Sequence, residues 1–236
     1  ANDAALRAKG IVTEVAVAGI LFSDLGKNAE YLDAHARKVF PALYANEATR
    51  GLAKFKAFLL HEEPGIERLR AEARRVGLSA KTTSAVVDAI VGHNGPAVEG
   101  SWWQQNWDTL IRDHEGRTSS KMVGRSYPEH RSREGALHTV FDRLDQGSLT
   151  RTANGWEGGP KKIMNDIMAN TSFEAAVREA LEGNPKKTLP QLEALRARHG
   201  DLFDLDVVRE GEARLRRTMS LLNHVEFLDE ARARVH

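Results

Sequence analysis

Residues 11–22 read IVTEVAVAGILF, and the assignment of that stretch decides the fold. Its valines would suit a strand, but no alternating run that could pair with it lies nearby. Read as a helix, the stretch is apolar on nearly every side, the pattern of a central, enclosed element rather than a surface one. The chain then changes character abruptly: Asp24 stands where the apolar run ends, and Lys27 follows one glycine later. A carboxylate there can simply help terminate the helix. It can also be half of a metal site if partners exist further along.

Helical spacing recurs outward from this stretch. In SAVVDAIVGH the pairs Val86/Val87 and Ile90/Val91 are one turn apart and give a single apolar face. Near the C-terminus Leu205, Val208, Leu215, Met219, Leu222 and Leu228 mark a long amphipathic helix. Ser101 with Gln104 and Thr171 with Glu174 fit capping boxes. Breaks are expected at Glu63-Pro64-Gly65, Asn94-Gly95-Pro96, about 114–132, Asn154–Pro160 and Gly183-Asn184-Pro185. The expected fold is all-α: a compact multi-helix bundle over 1–183 and a helical extension over 184–236 packed on it. No internal repeat is visible.

Composition limits the chemistry. The 236 residues hold 34 Lys and Arg against 33 Asp and Glu, a net charge of +1. That balance gives no general argument for nucleic acid or a membrane surface as partner. No apolar run is long enough to span a bilayer and no secretory pattern opens the chain, so a cytoplasmic protein is expected. The chain has no cysteine, which excludes disulfides, thiolate ligands and cysteine nucleophiles. Nine histidines and the carboxylates remain for metal or acid–base work.

Four potential ligands come at or near the ends of apolar helices. Asp24 ends the first, His61 ends AKFKAFLLH, His93 ends VVDAIVGH, and Asp142 lies within ALHTVFDRLDQG. Each has a simpler role when taken alone: a C-terminal histidine answers the helix dipole, and a junction aspartate accepts local hydrogen bonds. Together, imidazole and carboxylate suit divalent metals, among them Mn²⁺, Fe²⁺, Zn²⁺ and Mg²⁺.

In chain order, LFSDLGK at 21–27, His61 in LLHEEPG, His93 in IVGHNGP and Asp142 in VFDRLD resemble the HD-domain superfamily of metal-dependent phosphohydrolases. The resemblance covers roughly residues 10–165 and implies a helical fold with one cleft. It implies that Asp24, His61, His93 and Asp142 hold a divalent ion, with Asp24 and Lys27 at the catalytic position. The implied substrate is a phosphate ester carried by a small molecule, with a nucleotide the favoured case. Two features depart from the family pattern. Ser23 stands where the family has the histidine paired with its aspartate, and no histidine precedes position 35. His35, His130 or His138 could supply the missing imidazole in space. The competing reading is a degenerate HD domain that binds or regulates without catalysis.

Weaker features flank this set. GRSYPEHRSR supplies Arg125, His130 and Arg131, which could hold phosphate near the Asp142 helix, and Lys161 follows Gly158-Gly159 at an expected helix start. A solvated loop and a proline at an early helical position explain both without a ligand. In SWWQQNW, Trp103 and Trp107 are one turn apart and read as packing, while Trp102 could stack or form a dimer contact. A homo-oligomer is compatible with that contact.

Overall fold

The computed structural model describes residues 3–91, 130, 132–153, 155–160, 173–178, 181, 184–221, 224, 228–229 and 233. Helices α1 (Asp3–Ala8) and α2 (Thr13–Ser23) come first, followed by a single 3-10 turn, Leu25–Lys27. Then come α3 (Ala29–Val39), α4 (Pro41–Ala45), α5 (Glu47–Leu59), α6 (Glu62–Val76), α7 (Ala80–Val91) and α8 (Arg133–Gly147). A two-stranded antiparallel ribbon, β1 (Thr150–Thr152) and β2 (Gly155–Glu157), places Thr150 opposite Glu157. After it come α9 (Phe173–Arg178), α10 (Asn184–His199), a 3-10 turn (Gly200–Asp204) and α11 (Asp206–Ser220). The protein is all-α. Among the described residues no helix is long and apolar enough to cross a membrane.

The chain divides into two compact units, Ala1–Thr139 and Val140–His236, with the boundary inside α8. Of the break expected at 183–185, Gly183 lies outside the described residues, and Asn184 and Pro185 are the first residues of α10, within the second unit.

In the first unit α2 packs on α6 and α7. Val15, Leu69, Val86, Ala89 and Ile90 are buried together there. Burying a side chain such as Ile90 contributes roughly 1.5–3 kcal/mol. A Cβ at Gly19 would lie 2.9 Å from that of Ala89, so the absent side chain sets how closely α2 and α7 approach. The enclosed helix expected at 11–22 is covered on one flank only. Val15, Ala16, Gly19 and Ser23 are buried, whereas Val17, Ile20 and Leu21 are 50%, 39% and 66% exposed. The reason is geometric: α6 and α7 cover one side of a cylinder whose apolar residues surround it. Ala36, Phe40, Ala53, Ala57 and Leu60 form a second core between α3, α4 and α5.

The helix starts have identifiable partners. Asn28 accepts from the Glu30 amide at the start of α3, and Asn46 from the Ala48 amide at the start of α5. Ser79 accepts from the Thr82 amide ahead of α7. Caps of this kind contribute about 1 kcal/mol each. The residue preceding α2, Val12, makes no side-chain cap. Glu134 of α8 substitutes, accepting from the Val12 amide at 2.8 Å, where the positive end of the α2 dipole favours a carboxylate. Both capping boxes read from the sequence lie wholly or partly outside the described residues.

The break expected at Glu63-Pro64-Gly65 is not a break. Helix α6 begins at Glu62 and runs through Pro64, because a proline in the first turn lacks an N–H that would have had no helical partner. The helix ends at Gly77, whose φ of 71° is the left-handed closing conformation.

In the second unit α8 and α11 approach closely. A Cβ at Gly147 would lie 2.6 Å from Leu215 Cδ1, and one at Gly211 2.7 Å from Leu144 Cδ1. The Thr218 hydroxyl accepts from the Leu149 amide at 2.7 Å. Of the amphipathic helix expected through Leu228, α11 covers Asp206–Ser220, with Val208, Leu215 and Thr218 on its buried face and Leu205 buried just before it. Leu228 lies beyond its end and Leu222 is outside the described residues.

Candidate functional site

Asp24 closes α2 and starts the 3-10 turn that carries Lys27. That turn lies against the two-residue joint between α5 and α6, where His61 sits. Two glycines make the approach possible. A Cβ at Gly26 would stand 2.0 Å from the His61 carbonyl oxygen, and one at Gly65 would stand 1.9 Å from that of Phe22. Backbone meets backbone at both places, so no larger residue fits. The motif DLGK and the apparent break EPG thus fix one junction, which brings Asp24 to His61.

The geometry there is specific. His61 Nε2 is 3.7 Å from Asp24 Oδ1, and Lys27 Nζ is 2.7 Å from the same oxygen. The imidazole is 6% exposed and the carboxylate 54%, so a buried ring faces a carboxylate open to solvent. His61 Nδ1 lies 2.7 Å from the Phe58 carbonyl oxygen. A carbonyl oxygen only accepts, so Nδ1 carries the proton. In the neutral ring, Nε2 therefore presents its lone pair toward Asp24.

The separation of 3.7 Å exceeds hydrogen-bonding distance. It fits two ligands of one ion: donors about 2.1 Å from a tetrahedral metal stand roughly 3.4 Å apart. A backbone carbonyl fixing the remote ring nitrogen is also the usual arrangement behind a ligating histidine. Of the expected ligands, Asp24 and His61 are the two whose spacing, among the described residues, is compatible with sharing one ion.

Ser23 is fully buried beside this pair. Its hydroxyl donates to the Ile20 carbonyl at 3.0 Å and lies 3.4 Å from His138 Nε2 on α8. With the hydroxyl proton committed to Ile20, the His138 nitrogen is on the donor side of that contact. An imidazole does stand next to position 23, delivered from α8 rather than by residue 23 itself.

His35 of α3 is buried, with Nε2 3.3 Å from Glu63 Oε2 but not in hydrogen-bonding geometry. Burial first of all pushes its pKa down to about 4, assisted by Lys38 and His61 and opposed by Glu67. It is a neutral ring at physiological pH. His130 Nε2 is 2.9 Å from the Thr139 hydroxyl, which itself donates to the Gly135 carbonyl, so this ring nitrogen is a donor too.

Asp142 belongs to the second unit. Its Oδ2 accepts from Gln146 at 2.8 Å and pairs with Arg143 at 3.2 Å. His93, Arg125, Arg131, Lys161 and the tryptophans at 102, 103 and 107 lie outside the described residues. Among the described residues no three of His, Asp and Glu gather into a metal-ligand group. The part of the expected set that the described residues bring together is the pair Asp24–His61, with Lys27 beside it.

The sequence reading missed the buried carboxylate Glu134 that serves α2, and Gly26 and Gly65 as the contact points of the junction. Both glycines stand inside motifs read for other reasons, so the available signal was their position next to the candidate ligands. Neither a family model, nor a curated protein, nor a solved structure matches the chain.

Proposed function

We propose that this protein is a metal-dependent hydrolase acting on a phosphate ester of a small molecule, with a nucleotide as the favoured substrate. The observation that supports the reading best is the approach of His61 Nε2 to Asp24 Oδ1 at 3.7 Å, with the ring tautomer fixed by Phe58. In the proposal His93 joins the ligand set, as the resemblance to HD-domain phosphohydrolases implies. An ion bound there supplies charge neutralisation on a phosphoryl oxygen and a more acidic water.

The chain's own residues divide the remaining work. Asp24 and His61 fix the position of the site, and the Phe58 carbonyl holds the His61 ring in the ligating tautomer. Lys27 balances Asp24 and places a cation within reach of a substrate phosphate. With Ser23 where the family has histidine, at most one tightly held ion per chain and slow turnover are expected.

The test is hydrolysis of a chromogenic phosphate ester with Mn²⁺, comparing the wild type with Asp24→Asn. A loss of at least a hundredfold is expected, and equal rates would reject the proposal. The second reading is a binding module of the same ancestry without catalysis. It is favoured by Ser23 and by the lysine already paired with Asp24. It predicts nucleotide binding with no turnover by either protein.

A further inference from the structure

Helices α6 and α7 meet at the Gly77 turn, and an open cleft of about 380 Å³ lies between the last turns of one and the first turns of the other. Its polar lining consists of Arg70 and Arg74 from α6 with Thr83 and Ser84 from α7, and Leu78 and Val87 contribute to its apolar wall. Among the described residues no carboxylate lines it.

The arginines of α6 fall into two groups. Arg68 and Arg75 both pair with Glu72 at 2.7 Å. Arg70 and Arg74 have no ion pair among the described residues, although one turn separates them on a single face and like charges at that spacing repel. A larger cleft in the second unit, about 640 Å³, is also lined by arginines. There the chain supplies counter-charges, with Glu212 on Arg196 and Asp206 on Arg209. Among the described residues the α6–α7 cleft has two guanidinium groups and no anion.

The hydroxyls divide in the same way. Thr83 donates to the Ser79 carbonyl at 2.9 Å. Ser84 has no hydrogen-bond partner among the described residues, which leaves its proton for a ligand.

We infer that this cleft binds a small organic phosphate. The two guanidinium groups take the phosphate oxygens, since their planar donor pairs match that geometry, and Ser84 donates to a third oxygen. Leu78, 41% exposed, and Val87 cover the apolar body that carries the phosphate. The volume lies within the range of small-molecule sites, which are mostly apolar with a few convergent polar groups. This site is distinct from Asp24 and His61 and does not depend on a metal.

The test is calorimetric titration of the full chain with phenyl phosphate, and separately with inorganic phosphate, in buffer containing a chelator. Phenyl phosphate should bind the wild type and the His61→Ala variant alike, which separates this site from the proposed metal centre. The double variant Arg70→Ala/Arg74→Ala should bind at least tenfold more weakly, and Arg68→Ala should match the wild type. The lysine double variant Arg70→Lys/Arg74→Lys keeps the charge but loses the fork, and should fall between them. Inorganic phosphate should bind more weakly than phenyl phosphate, because it leaves the apolar wall wet. Equal affinities for the two probes would overturn the organic ligand. Absence of binding at millimolar concentration, or binding unchanged in the alanine double variant, would overturn the site.

Discussion

Two histidine–carboxylate pairs lie in the first unit and come to opposite ends. His35 approaches Glu63 at 3.3 Å and His61 approaches Asp24 at 3.7 Å, and both imidazoles are buried. The difference lies in the carboxylate and in the second ring nitrogen. Glu63 is 29% exposed against 54% for Asp24. Neither ring hydrogen-bonds through Nε2 to the carboxylate it faces, but the His61 ring is anchored through Nδ1 to the Phe58 carbonyl. Burial makes His35 a neutral member of the core. A fixed tautomer facing an open carboxylate is what supports the proposal that the His61 pair holds a cation. A distance between partners does not by itself separate these roles.

The strongest way to break this comparison is Gly26→Ala. The added Cβ would meet a backbone oxygen, which cannot swing aside as a side chain would. A loss of about 3 kcal/mol or more is expected, at the upper end of overpacking costs. Urea denaturation should show it, and the variant should lose the Asp24–His61 approach while leaving the core around Ala36 in place.

The next effect belongs to His35. Its folded pKa of about 4 lies below the ordinary 6.5, so between those values the unfolded chain binds a proton that the folded chain does not. Stability is therefore full above about pH 6.5 and is lost as pH falls toward 4, by roughly 3 kcal/mol at most. Unfolding measured at pH 7 and pH 4.5 should show a smaller pH-dependent loss in His35→Gln than in wild type. An equal loss would mean that His35 titrates normally.

Much of this architecture was legible in the chain. Helical spacing located α2, α7 and α11, and the apolar run ending at Asp24 located the turn that carries Lys27. What periodicity could not show was coverage. Val17, Ile20 and Leu21 are as apolar as Val15, but only the flank facing α6 and α7 is buried. Proline and glycine misled at 64–65, because the same pair that ends a helix from within is compatible with starting one. The convergence of Asp24 and His61 depends on a contact between two backbones at Gly26, and no spacing rule encodes that. His138 beside Ser23 was one of three rings that could have stood there, and the folded chain was needed to choose it.

Smaller changes sharpen the contrast. Lys27→Met removes the cation now held on Asp24 Oδ1. Partly exposed ion pairs contribute about 0.2–1 kcal/mol, so Mn²⁺ affinity should rise by no more than about fivefold. Titration calorimetry reads this directly, and a fall in affinity would mean that Lys27 supports the site instead of competing for it. Gly51→Ala is the counterpart of Gly26→Ala. This glycine lies in α5, the helix that leads to His61, with nothing within 4 Å of an added Cβ. A gain of about 0.5–1 kcal/mol is expected in the same urea experiment.

The most direct measurement is calorimetric titration of Mn²⁺ into the chelator-stripped wild type and into His61→Ala. One ion per chain is expected in the wild type. Removing the imidazole should weaken binding at least tenfold, the lower limit seen even when an outer partner of a metal ligand is lost. Equal affinity in the two proteins, or none in either, would contradict the assignment of Asp24 and His61 as a cation site.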